Sequence, residues 1–479
     1  MATQDSTTRA EGHLLRGAAV YAIGMFANNA LSVLLLPLIT RLLTPEEYGY
    51  YDIVLSTVTL IVPLLTLQSL EALFRLLFSA DARQKKTYVT IIFCVCTAGL
   101  AAGMAAFAVF TALNPQVQFP VQTALYTVSL VTYLFYQKVA RAQGENKLYA
   151  RVGIAQTALL LFSQLFLLLV FRMKADALLL AAALSFAVGS AIFERRLHVA
   201  GLVSFKLLNN ADLRRILRFS VPLIPNTISW WLIASLNRYL LLGAKGMEEV
   251  GIYSMALKFS FLVTAIAQVF NMAWQESAIA EHQSEHPEEA VFHSRAFHRF
   301  MQLLLSLVCV LIPATRVVLP YVVGAHFLAA GSIIPPLYVT AVLEAFMTFW
   351  SAGYFVHQRT SGAFFTTLTG ALANIALVLL LIGRWGMLAP VIGAMAAFLV
   401  IWLLRIYTLR TVLQIRIDLR MLALLAGLVC LFGAGYYLLP AAYDLPMLLA
   451  AMACAVLINR DWLLALWKRL VSQKNGSDR

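Results

Sequence analysis

Lys258 lies about ten residues inside the apolar run 248–277, and a charge there demands an explanation. At the rise of a helix it sits ~15 Å deep, near the middle of a bilayer. A lysine at that depth costs ~2.5 kcal/mol or more on insertion scales. It must therefore face a wet cavity or a partner. One reading is an anion site; the other is a structural ion pair, with Glu344 the candidate partner. Glu344 and Asn374 fall near the middles of two further apolar runs. An intramembrane carboxylate serves either as a counter-charge or as a site for a coupling ion or proton. Glu71 and Arg75 are four apart, so on a helix they share a face and can pair. Arginine's planar fork also suits phosphate.

A second set of residues is polar and uncharged. Asn28 and Asn29 stand in the first apolar run, and Asn226, Ser229 and Trp230 in the seventh. Gln268, Asn271, Trp274 and Gln275 follow Lys258. Such groups, with aromatic faces among them, could bind a sugar; the alternative for each is a hydrogen bond between packed helices. His282, His286, His293 and His298 have no usual metal spacing and read as a solvated amphipathic segment. The five cysteines all lie in apolar runs, and neither a zinc site nor a disulfide framework follows from their spacing. Gly99 and Gly103 form a GxxxG that fits helix packing. No phosphate-cradling glycine loop occurs, so no nucleotide cofactor is expected.

The elements that hold these residues are membrane spans. The chain has 479 residues, 61% hydrophobic and 12% charged, with a mean hydropathy of +0.80. Soluble domains carry about 25% charged residues. The apolar runs are long and lack two-residue alternation, so they are helices rather than barrel strands. Fourteen spans are expected, near 17–40, 48–78, 87–112, 119–137, 152–171, 176–194, 219–243, 248–277, 300–320, 332–356, 361–383, 388–404, 421–439 and 441–459. Pro222 and Pro225 should kink the seventh. The short polar N-terminus runs straight into the first span, without the marks of a cleaved signal.

With the N-terminus in the cytoplasm, the cytoplasmic segments carry 27 Lys/Arg and the outer ones 7. That asymmetry predicts cytoplasmic N- and C-termini. It also accounts for most of the +13 net charge without a nucleic-acid partner.

Glu46-Glu47-Tyr48-Gly49-Tyr50-Tyr51 and Glu248-Glu249-Val250-Gly251-Ile252-Tyr253 both read E-E-x-G-x-Y, 202 residues and six spans apart. An even number of spans gives the two copies one orientation, which predicts parallel repeats about an axis along the membrane normal. The expected fold is thus all-α integral membrane, two six-helix lobes plus two C-terminal helices. Its parts are a tail 1–16, lobes 17–200 and 219–415, a linker 201–218, and an appendage with tail 416–479.

Leu38-Ile39-Thr40-Arg41-Leu42-Leu43-Thr44-Pro45-Glu46-Glu47-Tyr48-Gly49 resembles the N-terminal signature of the Wzx-type polysaccharide-biosynthesis flippases. Ala140-Arg141-Ala142-Gln143-Gly144, Phe219-Ser220-Val221-Pro222-Leu223-Ile224-Pro225-Asn226 and Asn237-Arg238-Tyr239 are similar to further motifs of that family. The family belongs to the multidrug/oligosaccharidyl-lipid/polysaccharide exporter superfamily. The resemblance implies two lobes around a central cavity, alternating access, and transport of undecaprenyl-pyrophosphate-linked sugars across the cell membrane. It also implies a polysaccharide polymerase and chain-length machinery as partners. A cationic cavity would suit the pyrophosphate, with Lys258 and Arg75 in that role. A lipid II flippase is the nearest alternative. A cation-coupled multidrug antiporter often uses a carboxylate on its first span, and residues 14–40 hold none. A membrane polymerase or ligase needs a large outer loop, and every outer link here is short.

Overall fold

The computed structural model describes residues 35–77, 80–283, 289–356, 360–410 and 413–460. Asn28, Asn29 and most of the first expected span lie outside them, as does His286. Every regular element among the described residues is helical. The chain divides into two compact units, Met1–Leu236 and Asn237–Arg479.

The first unit begins with α1 (Leu36–Leu42) and α2 (Pro45–Leu65). Thr44 and Glu47 form a reciprocal capping box at the start of α2, with Pro45 in its first turn, so three local signals agree on one helix start. Then come α3 (Ser69–Leu77), α4 (Ala82–Leu113), α5 (Pro120–Ala142), α6 (Asn146–Leu169), α7 (Ala175–Leu197), α8 (Asn210–Ser220) and α9 (Ile224–Ala234). α7 packs against α5 and α6, and α3 against α4, α5 and α8. The core gathers aliphatic side chains such as Leu73, Val89, Ile92, Val131 and Leu179. The GxxxG of α4 does what helix packing requires. A Cβ on Gly99 would lie 1.8 Å from the Leu65 carbonyl oxygen, and one on Gly103 2.5 Å from the Leu65 side chain.

The second unit holds α10 (Leu236–Lys245), α11 (Met247–Leu257), α12 (Phe261–Gln283), α13 (Glu289–Val322), α14 (Ile334–Val356), α15 (Thr360–Trp385), α16 (Leu388–Leu409), α17 (Leu419–Leu438) and α18 (Asp444–Ile458). α16 packs on α15 and α14, and α13 on α17 and α18. An aromatic core fills the space around α12, α13, α14 and α16. In it Trp274 stacks on Phe349 at 4.3 Å and Phe270 on Phe300 at 4.4 Å between ring centroids. Arg316 ties the C-terminal pair down, pairing with Asp444 at 3.1 Å and donating to the Tyr436 carbonyl at 3.0 Å.

Among the described residues nine helices are long and apolar enough to cross a membrane, or twelve when each broken pair counts as one span. α5, 23 residues long, coincides with the fourth expected span but carries Gln137, Lys138 and Arg141. The all-α, multi-span class expected from composition is the class observed.

Several expectations need correction. The second expected span is two helices, α2 and α3, separated at Thr66–Gln68. Leu67 and Gln68 there are in the left-handed region, at φ 47° and 54°, and neither is a residue that announces such a bend. The eighth span is also two helices, α11 and α12, bent by 45°. In the seventh, the prolines give a 3₁₀ turn at Val221–Leu223. α13 starts well before the expected residue 300. It buries His293, whose Nδ1 lies 3.2 Å from the Leu413 carbonyl oxygen. His298 accepts the Asp418 N–H at 2.9 Å. The segment read as solvated is therefore partly a packed joint, because the apolar neighbours Phe292 and Phe297 carry the histidines inward.

Candidate functional site

Lys258 ends α11, and α11 ends there because three residues cross to α12 with short-range bonds. The Lys258 N–H donates to Met255 O at 3.0 Å, Phe259 N–H to Ala256 O at 3.1 Å and Phe261 N–H to Lys258 O at 3.3 Å. Eleven residues of α11 precede the break, a rise of ~16 Å, which is half of a ~30 Å apolar layer. The lysine is half-buried. Lys258 caps the C-terminal, negative end of α11, where a cation is favoured. The N-terminus of α12, a positive end, opens three residues later.

No hydrogen bond or ion pair of the Lys258 ammonium occurs among the described residues, and none joins it to Glu344. The structural pair weighed for these two residues is not formed. Glu344 lies half-buried in α14, one turn before Thr348, whose hydroxyl donates back to the Glu344 carbonyl at 2.8 Å. Its carboxylate likewise has no cationic partner among the described residues. On α12, Gln268 is exposed, whereas Asn271 is buried with its Oδ1 unpartnered. Trp274 is buried, and its indole N–H donates to the Phe349 carbonyl at 3.2 Å. It serves packing rather than offering a free aromatic face.

Asn374 is also a packing residue. It is fully buried, donates to the Asn237 side chain at 2.9 Å, and Asn237 donates to the Pro390 carbonyl at 3.2 Å. The two carboxamides satisfy each other between α10 and α15.

In the first unit, Glu71 and Arg75 share a face of α3 but do not pair. Glu71 bonds Lys138 of α5 at 2.7 Å. The Arg75 guanidinium lies over the Phe219 ring at 4.6 Å, a cation–π contact that leaves its N–H edge available. The i, i+4 spacing permits a pair, but helices on either side of α3 supply competitors. Asn226 and Trp230 are one turn apart on α9 and both exposed, so they form one amphipathic strip. The adjacent Trp231 is engaged, its indole N–H donating to the Ser56 carbonyl at 2.8 Å.

The polar residue that sequence reading missed is Arg405. Placed on sequence in a cytoplasmic link, it lies inside α16 and is only 2% exposed. It donates to Met347 O at 2.7 Å, Ser351 Oγ at 2.5 Å, Thr367 Oγ1 at 3.2 Å and Thr366 Oγ1 at 3.4 Å. A signal was present: Ala394, Ala397, Phe398, Ile401, Trp402, Arg405 and Leu409 form one buried helical face.

The comparisons with known proteins bear on this arrangement. A family model described as polysaccharide biosynthesis protein matches residues 14–279. No curated protein matches the sequence. The structure is similar to that of lipid II flippase MurJ in an inward closed conformation. The TM-score is 0.70 at 10% identity, over 94% of this chain and 99% of that one. It is similar to an inward-facing multidrug resistance MATE family transporter of the MOP superfamily, with a TM-score of 0.63 at 14% identity, over 83% and 99%. It also resembles the eukaryotic MATE transporter AtDTX14, with a TM-score of 0.53 at 14% identity, over 86% and 96%. At these identities the likeness is one of fold: the fold is that of membrane flippases and transporters.

Proposed function

Since the chain belongs to the polysaccharide biosynthesis protein family, as its match over residues 14–279 shows, we propose that it is a flippase for a lipid-linked oligosaccharide. The substrate is an undecaprenyl-pyrophosphate-linked polysaccharide repeat unit, moved from the cytoplasmic to the outer leaflet of the cell membrane by alternating access. Both termini are cytoplasmic in this reading. The chain catalyses no covalent step, and a polymerase and chain-length machinery act on its product.

The observation that carries the reading is Lys258. A pyrophosphate entering the apolar layer meets the desolvation penalty of any buried charge. A fixed ammonium at mid-depth offsets part of that penalty, and the substrate in turn relieves the cost of the lysine. A helix broken at the membrane midplane, with its ends aimed at charged ligands, is a known device of transporters. Arg75 supplies a second phosphate contact through its free N–H edge. Asn226, Trp230, Gln268 and Asn271 offer hydrogen bonds and an aromatic face to the saccharide, with Asn28 and Asn29 as further candidates. Glu344 holds the coupling ion or proton. Glu71, paired with Lys138, is a charge partner.

The test is Lys258→Ala. Export of lipid-linked saccharide should fall by at least about tenfold, the scale of one lost charge-assisted contact, while the protein accumulates normally. Lys258→Arg should retain part of the activity. Normal export by Lys258→Ala would sink the reading. A lipid II flippase is the second reading, favoured by the TM-score of 0.70 over 94% of the chain. Rescue of cells depleted of their own lipid II flippase would establish it in place of the first.

A further inference from the structure

Lys147 stands in the first turn of α6 and Arg196 in the last turn of α7, and Arg151 lies one turn after Lys147. The three surround a cavity of about 540 Å³ whose wall includes Leu148, Val152 and Ile192. Glu145 is the one carboxylate that lines it. None of the three cations forms an ion pair among the described residues. Lys138, nearby in sequence, shows the contrasting arrangement, bonded to Glu71 at 2.7 Å. A cavity with three open cations against one carboxylate carries a net positive charge and selects an anion.

Where the cavity sits identifies the anion. It lies at the ends of two apolar helices of 24 and 23 residues, each about one bilayer core long. Its level is therefore the membrane–water interface. Further along the same helices Ile154, Phe162, Leu184 and Val188 are exposed, a surface suited to acyl chains. Cationic head above, apolar wall below is the profile of an acidic lipid. We propose that this pocket binds the phosphate of an anionic phospholipid headgroup in the leaflet facing the Lys147 end of α6. Arg151 and Arg196 supply planar forks to the phosphate oxygens, and Lys147 supplies a point charge. Positive-inside asymmetry puts that leaflet on the cytoplasmic side. The site is built wholly from residues of the first unit and does not depend on the transported substrate.

The test uses the full chain in nanodiscs of phosphatidylcholine with a minor share of phosphatidylglycerol, and counts lipids retained by native mass spectrometry. The wild type should keep phosphatidylglycerol over phosphatidylcholine. A Lys147→Ala/Arg151→Ala/Arg196→Ala variant should bind it roughly 100-fold more weakly, at about fivefold per cation. A control of equal charge loss, Lys206→Ala/Arg214→Ala/Arg218→Ala, removes exposed cations elsewhere in the unit and should leave retention unchanged. Arg151→Lys/Arg196→Lys keeps the charge and should bind between the two, which guards against a variant that merely misfolds. Equal loss in pocket and control variants would overturn the proposal, since diffuse surface charge would then suffice. Displacement of the lipid by millimolar inorganic phosphate would overturn it too, by making the ligand a soluble phosphate.

Discussion

Lys258 and Arg405 are both cations within apolar stretches of the second unit, and they resolve the cost of that position in opposite ways. Arg405 is sealed in and donates to Met347, Ser351, Thr366 and Thr367. Its acceptors are neutral and fixed on α14 and α15, so it acts as a rivet between three helices. Lys258 is half-buried at a helix break and has no such acceptors among the described residues. A charge that the fold satisfies is structural. A charge that the fold positions and leaves open is available to a ligand. The first unit sharpens the point: the residue 202 positions before Lys258 is Ser56, whose hydroxyl donates to Asp52 O at 2.8 Å. The two copies of E-E-x-G-x-Y therefore open helices of different use. The first copy is followed by a break at Thr66–Gln68, where the Gln68 amide donates to the Thr227 hydroxyl; the second is followed by a break whose lysine ammonium has no ion-pair partner among the described residues.

The comparison makes its largest demand on stability. Arg405→Ala orphans several buried acceptors at once and should cost about 3 kcal/mol, read as a clear drop in melting temperature in detergent. Lys258→Ala should change stability by less than about 0.5 kcal/mol. Equal destabilisation by the two substitutions would erase the distinction between rivet and open charge. Next in size is Gln68→Ala, which removes the bond that holds the first unit's break. It should cost about 1 kcal/mol with little loss of export; a loss as deep as that of Lys258→Ala would make the two breaks functionally alike. The smallest effect is that of Arg75→Ala. Losing the contact with Phe219 should cost about 0.5–1 kcal/mol, and export should fall less than for Lys258→Ala. Export assays on the two variants side by side rank the two cations.

How much of this was legible beforehand depended on whether the cause was local. Thirteen of the fourteen expected spans fall on single or broken helices among the described residues, twelve of them long and apolar enough to cross a membrane, because span length and apolarity are properties of short windows. The start of α2 was readable too, since Thr44, Pro45 and Glu47 cap it among themselves. The pairing of Glu71 was not. Its spacing from Arg75 is a valid helical pair, but Lys138, 67 residues away, arrives only once α5 packs on α3. Arg405 was misplaced because a charge near the end of a span usually snorkels to water, and nothing local reveals the three hydroxyls waiting on α14 and α15.

By itself, then, the sequence determined the solvent and the class of fold, because 61% apolar residues in span-length runs admit only lipid around helices, and its motifs over residues 14–279 carried the family. Tertiary structure alone decided which charges and amides were used up in packing: Arg405 by its hydroxyl cage, Asn374 by Asn237, Glu71 by Lys138. It also decided where helices break without glycine or proline, as at Leu67 and Gln68. The reason is that a polar group in an apolar layer is defined by its partner, and these partners lie tens of residues away, where only packing brings them.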